Sequence, residues 1–210
     1  MIATTWLLYR DALTETGRAF SRSTMVWLLP VAILVVLQIA GALLSMLGLI
    51  GGLIHFVAEC YLYGAYLYLV GEALSRRRPI KASDLRDALG QNMREVMNLL
   101  FLYWILQLAL SVATDNEQIS SQVSFVIVVA VAVLFNPGPE IIHQERSVGG
   151  MDILAKAFRW MSVNGPEWVP NLVGTALVLF ALLQLAGPWL GLLICGLLLH
   201  PWMLFRGALY

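Results

Sequence analysis

A chain of 210 residues, 60% of them hydrophobic and only 12% charged, is far more apolar than a soluble domain, where about half are apolar and about a quarter charged. Thirteen basic and thirteen acidic side chains cancel, so no excess of positive charge points to nucleic acid. These proportions exclude an ordinary water-soluble fold. They predict an all-α, polytopic membrane protein, since only helices and closed barrels satisfy the backbone in lipid.

The chain opens on an amphipathic stretch. Over residues 2–20, Ile2, Trp6, Tyr9, Leu13 and Phe20 form one helical stripe, while Asp11, Glu15 and Arg18 face away. Such a helix is too charged to span and is expected to lie along the membrane surface. The same charges leave no compact apolar core for a cleavable signal, so the N-terminus is expected to stay on the mature protein. A first span follows at residues 24–50, with Pro30 in its early turns, then a Gly51-Gly52 turn and a second span at 53–74. The second rises about 33 Å, enough to cross the hydrocarbon.

After the basic run Arg76-Arg77-Arg78-Pro79, Ser83 is the expected N-cap of a second surface helix, with Asp84 and Asp87 in its first turn. Leu85, Leu89 and Val96 line one side of that helix, which runs on into a third span at 96–114. A polar linker leads to a fourth at 119–135, rich in Val and Ile but read as helix. Asn136-Pro-Gly-Pro-Glu140 must stop or kink it, because proline lacks the N–H and clashes with the preceding turn. Met151, Leu154, Phe158 and Met161 then mark a third surface helix, closed by Asn164-Gly165-Pro166. The fifth and sixth spans, 168–186 and 189–209, meet at Gly187-Pro188. Trp168, Trp189 and Trp202 stand near span ends, where indole favours the interface.

Six spans joined in this way make three hairpins, each preceded by an amphipathic interfacial helix, within one membrane domain covering 1–210. The repeating units are 1–80, 81–149 and 150–210. Both termini share a side with all thirteen Lys and Arg residues, and the far side receives Asp115 and Glu117. The positive-inside rule makes the basic side, and with it both termini, cytoplasmic. Glu72, Arg78 and Asp84 recur as Glu140, Arg146 and Asp152 at one constant offset, the mark of an internal repeat.

Ionisable groups in a span are functional candidates, since leaving a charge in hydrocarbon is costly. Glu59 lies one turn past His55, so the two share a face, either as a proton- or ion-handling pair or as a pair satisfying each other. Gln38, Gln107 and Gln184 place one amide on each odd-numbered span and read as interhelical glue. Glu140-x-x-His143 has the spacing of a carboxylate–histidine metal pair, but its repeat counterpart Ser75 supplies no second element. Glu140 with Arg146, and Glu72 with Arg78, are expected as ion pairs that pin the loops. His55 and His200 each follow a glycine by four residues, Gly51 and Gly196, leaving a notch of the kind haem or chlorophyll ligation requires. With 17 glycines in the chain, chance accounts for this, and no cofactor or catalytic set is assigned. Cys60 and Cys195 read as small buried hydrophobes. Gly41-x-x-x-Ser45 and Gly187-x-x-x-Gly191 are small-residue faces that let helices approach.

The layout, in which a hairpin ends in Glu72-Ala-Leu-Ser-Arg-Arg-Arg-Pro and the chain re-enters through Ser83-Asp84-Leu85, resembles bacterial multi-span membrane proteins related to the membrane domain of glycerophosphodiester phosphodiesterases. No phosphodiesterase catalytic domain accompanies it, so the resemblance implies a non-catalytic membrane module. The expected function is therefore a non-enzymatic scaffold or accessory subunit with protein partners in the bilayer. The alternatives are a transporter subunit that uses His55 and Glu59, and an intramembrane enzyme that uses Glu140, His143 and Glu145.

Overall fold

The computed structural model describes residues 2–75, 78–115, 120–145 and 149–210, and every regular element among them is helical. The long helices are α1 (Ile2–Arg22), α2 (Leu29–Leu44), α3 (Gly48–Ser75), α5 (Met93–Asp115), α6 (Ser121–Phe135) and α8 (Gly150–Leu209); the short ones are α4 (Ala82–Ala88) and α7 (Gly138–Glu145). The Val- and Ile-rich segment before Pro137 is helix, as expected. Among the described residues, four helical stretches are long and apolar enough to cross a membrane: Thr24–Ser75, Met93–Thr114, Gln122–Glu145 and Gly150–Leu182. Leu193–Leu209 is apolar but shorter.

Thr24–Ser75 is not one rod. A short 3₁₀ turn, Ser45–Leu47, ends at Gly48, whose φ of 56° and ψ of −130° suit glycine and strain other residues. The chain therefore turns at Gly48, earlier than the expected Gly51-Gly52. Gly51 instead lies in the first turn of α3, where a side chain would run into the Leu44 carbonyl. Behind this turn α2 returns along α3, and a Cβ at Gly41 would stand 3.3 Å from the His55 ring. Pro30 sits in the first turn of α2, where its missing N–H costs no intrahelical bond.

The second surface helix is shorter than its pattern predicts. α4 begins after Lys81, not Ser83, because the Asp84 carboxylate accepts the Lys81 backbone N–H at 2.8 Å. It ends at Ala88, and Gly90 (φ 80°) and Asn92 (φ 54°) break the chain before α5. This corner presses on α3 so closely that a Cβ at Gly64 would lie 2.6 Å from the Gln91 carbonyl.

The third surface helix does not stop at Asn164-Gly165-Pro166, since α8 is helical through both Pro166 and Pro170. Each proline removes one backbone bond, but buried Trp168 anchors the following turn through Nε1–H donated to Asn136 Oδ1 at 2.8 Å. Neighbouring groups commonly carry helices past proline in this way. α8 also doubles back. The rings of Trp160 and Tyr210 lie 5.0 Å apart, where a straight helix would separate them by about 75 Å. Trp168 packs with Phe205 and Leu209, which centres the reversal near Gly187-Pro188.

Packing is uneven along the helices. Cys60, Tyr66, Leu69 and Val70 of α3 are buried with Ile141 and Ile142 of α7 and with Ile153, Ala157 and Leu204 of α8. In contrast, α6 buries none of its described residues and α5 buries only Val96. The tight core thus gathers at the end where α1, α4, α7 and the chain terminus meet, called the cap below. α1 turns Ala12 and Ala19 inward and leaves Trp6 and Leu13 exposed, so small residues touch protein and large apolar ones face outward. Likewise, Met151 and Phe158 of the expected third stripe are exposed, while Ile153 and Ala157 pack inside. Lipid would cover such outward faces without penalty, which leaves close fit and hydrogen bonds to hold the helices together.

Candidate functional site

The cap holds a buried polar node built on α7. Pro137 ends α6, and the next turn carries Glu140 into the core, where it is 0% exposed. Its partner is Arg206, near the end of α8. Arg206 donates from Nη2 to Glu140 Oε2 at 2.9 Å and to Asn136 Oδ1 at 3.1 Å. Nε stands 2.8 Å from Oε1, close but badly aligned for a hydrogen bond, so that contact is mainly attraction between charges. The guanidinium also lies 5.3 Å from the Trp168 ring centroid, within reach of a cation–π contact. Asn136 is shared, accepting from both Trp168 and Arg206. One node therefore ties the α6–α7 corner to both arms of α8.

The rest of α7 completes the clamp. Gln144 donates to the Gly207 carbonyl at 2.6 Å, the Tyr210 hydroxyl donates to Glu145, and Lys156 bridges Glu145 and Asp152 at 3.4 Å each. Burial and the Glu145 carboxylate together raise the pKa of the Tyr210 phenol, so it remains a donor at neutral pH. His143 has both ring nitrogens buried without a hydrogen-bond partner. It lines a cleft of about 370 Å³ together with Glu72, Ser75 and Asn92.

A second buried cluster joins α1, α3 and α8. Ser23 Oγ donates to the Ala19 carbonyl at 2.8 Å and sits 2.9 Å from His200 Nε2. The serine proton is thus already committed, so Nε2 carries the hydrogen of the second contact. Nδ1 is then the acceptor facing the Tyr66 hydroxyl at 3.4 Å. Tyr66, His200, Ser23 and the Ala19 carbonyl form one directed chain, buried throughout.

These contacts revise the expected pairs. Glu140 pairs with Arg206, whereas Arg146 lies outside the described residues. Arg78 pairs with Asp84, at 2.7 Å and 3.0 Å, in place of Glu72. The side chain that would complete a Glu140–His143 metal pair is occupied by the guanidinium, and no group of three His, Cys, Asp or Glu gathers among the described residues. The notch beside His200 is filled, since a Cβ at Gly196 would meet Val31 at 2.9 Å. The notch at Gly51 is closed by the Leu44 carbonyl and Leu47, and the His55 ring itself packs on Gly41 of α2, so neither glycine leaves an open slot for a flat ring.

His55 and Glu59 are both half-buried on α3 and form no ion pair with each other. Gln38 and Gln184 are exposed, and Gln107 donates to Tyr103 Oη on its own helix at 2.9 Å. Among the described residues, none of the three amides joins two helices. Ser45 Oγ bonds the Ala42 carbonyl within its own turn. Cys60 is buried and Cys195 half-buried, and both are free thiols.

Reading along the sequence misses Arg206, Asn136, Trp168, Ser23 and Tyr66 as members of these clusters. A lone arginine in the last apolar segment was the available signal, because such a charge must find a partner. The all-helical fold, with four stretches long and apolar enough to cross a membrane, is compatible with a membrane protein. Comparison with family models, curated proteins and solved structures finds no match for this chain, so the layout resemblance rests on the residues alone.

Proposed function

We propose that this chain is an integral protein of a bacterial inner membrane that crosses the bilayer six times as three hairpins, with the cap and both termini cytoplasmic. We further propose that it works without catalysis, as a scaffold or accessory subunit binding neighbours in the membrane. The observation that carries this reading is the contrast between cap and spans. Glu140 and Glu145 are engaged in holding helices together, whereas α5 and α6 offer long apolar faces of which, among the described residues, Val96 alone is fully buried. The turn at Gly48 and the reversal of α8 support two of the three hairpins in this reading, and the one-sided distribution of basic residues expected from the sequence supports its orientation.

Purification in a gentle detergent is expected to recover companions in fixed stoichiometry, and flux through reconstituted vesicles is expected not to change on Glu59→Gln. A lone monomer without reproducible companions contradicts the scaffold reading. Loss of flux in the variant would make the chain a transporter subunit instead. That alternative draws on the position of Glu59, 11 residues past Gly48, a rise of about 16 Å into α3.

A further inference from the structure

α1 and the two arms of α8 line a cleft of about 460 Å³ beside Trp168. Its aromatic wall is ordered. Trp160 meets Trp168 edge-on, at 84° and 4.7 Å between centroids, and stacks on Tyr210 at 21° and 5.0 Å. Trp168 is buried and already carries Arg206, while Trp160 and Tyr210 are half-exposed and remain within reach of a ligand. Two carboxylates, Asp11 and Glu167, line the same cleft, and among the described residues no basic side chain does. Arg10 touches Asp11 at 3.2 Å, with both side chains well exposed, a surface contact worth little. Glu167 makes no ion pair among the described residues. Its backbone carbonyl accepts the Tyr9 hydroxyl at 2.8 Å, which fixes this turn of α8 against α1 and leaves the carboxylate unused. Leu7 adds an aliphatic edge.

Indole and phenol faces attract cations, most strongly where water is excluded, and quaternary ammonium groups are the ligands best matched to such walls. Paired with acidic groups and an aliphatic edge, the wall selects a cation that carries an apolar chain. We propose that this cleft binds an ammonium-bearing amphiphile, with the cationic head against Trp160, Tyr210 and the Asp11 and Glu167 carboxylates. The site is independent of the scaffold reading, because it requires only the packing of α1 on α8.

The test is calorimetric titration of the full chain in maltoside micelles with hexyltrimethylammonium, and with hexyl sulfate as a control of equal tail and opposite charge. Saturable binding of the cation is expected, about tenfold or more tighter than any response to the anion. Asp11→Asn combined with Glu167→Gln keeps side-chain shape and the Tyr9 bond, and should weaken the cation about tenfold while Cys60 stays protected from thiol reagents. Equal responses to the two ions, no saturation, or unchanged affinity in the double variant would overturn the proposal. Nanodiscs separate the sources of the headgroup. If phosphatidylethanolamine discs block the titration and phosphatidylglycerol discs do not, the occupant is a membrane lipid; saturation in both assigns the site to a free amphiphile.

Discussion

Arg206→Met is expected to destabilise the protein by about 3–5 kcal/mol, because it strands the buried Glu140 carboxylate without its guanidinium partner. Glu140 is 0% exposed, and the lost partner also served Asn136 and the face of Trp168. Cys60 offers a built-in reporter, as it is free, buried and part of the cap core. In a Cys195→Ser background, the rate of Cys60 modification over a denaturant series should rise sharply for Arg206→Met. Glu140→Leu combined with Arg206→Met should recover most of the loss, since an apolar pair of similar volume often replaces a buried ion pair at little cost. A single-variant loss below about 1 kcal/mol would mean that the pair is solvated, in the range of surface ion pairs.

Trp168→Ala is the second large effect, expected at about 3–5 kcal/mol for a buried aromatic truncated in a packed core. The indole is 1% exposed, donates to Asn136 and supports Trp160. Trp168→Phe should retain most of the packing and lose chiefly the hydrogen bond, a cost of about 1 kcal/mol. Because Trp168 and Arg206 share Asn136, the combined Trp168→Ala and Arg206→Met variant should cost less than the sum of the two, as expected of residues in one network. Additive losses would mean that the node is two separate contacts.

The limits of reading this chain along its length follow from where its interactions are made. Helix type and the Pro137 stop depend on residues a few positions apart, and these expectations agree with the fold. The sequence marks Asp84 as a helix-start acid, but the repeat pattern points Arg78 toward Glu72 and does not reveal its pairing with Asp84. The same pattern points Glu140 toward Arg146, which lies outside the described residues. The actual partner, Arg206, reaches Glu140 only after α8 has reversed, and no local pattern encodes that distance. Local rules predict a stop at Asn164-Gly165-Pro166; the bond between Trp168 and Asn136, on a distant segment, outweighs them. The glycine notches beside His55 and His200 were visible, but what fills them belongs to α2 and its turn.

The central claim is that the cap lies on one side of a bilayer and the Gly48 turn on the other. Membrane-impermeant thiol labelling of single cysteines tests it most directly, in oriented vesicles and a background lacking Cys60 and Cys195. Arg78→Cys and Lys156→Cys should label from the same side, and Met46→Cys, which is 87% exposed beside the turn, from the opposite one. Labelling of Arg78→Cys and Lys156→Cys from opposite sides would contradict the account.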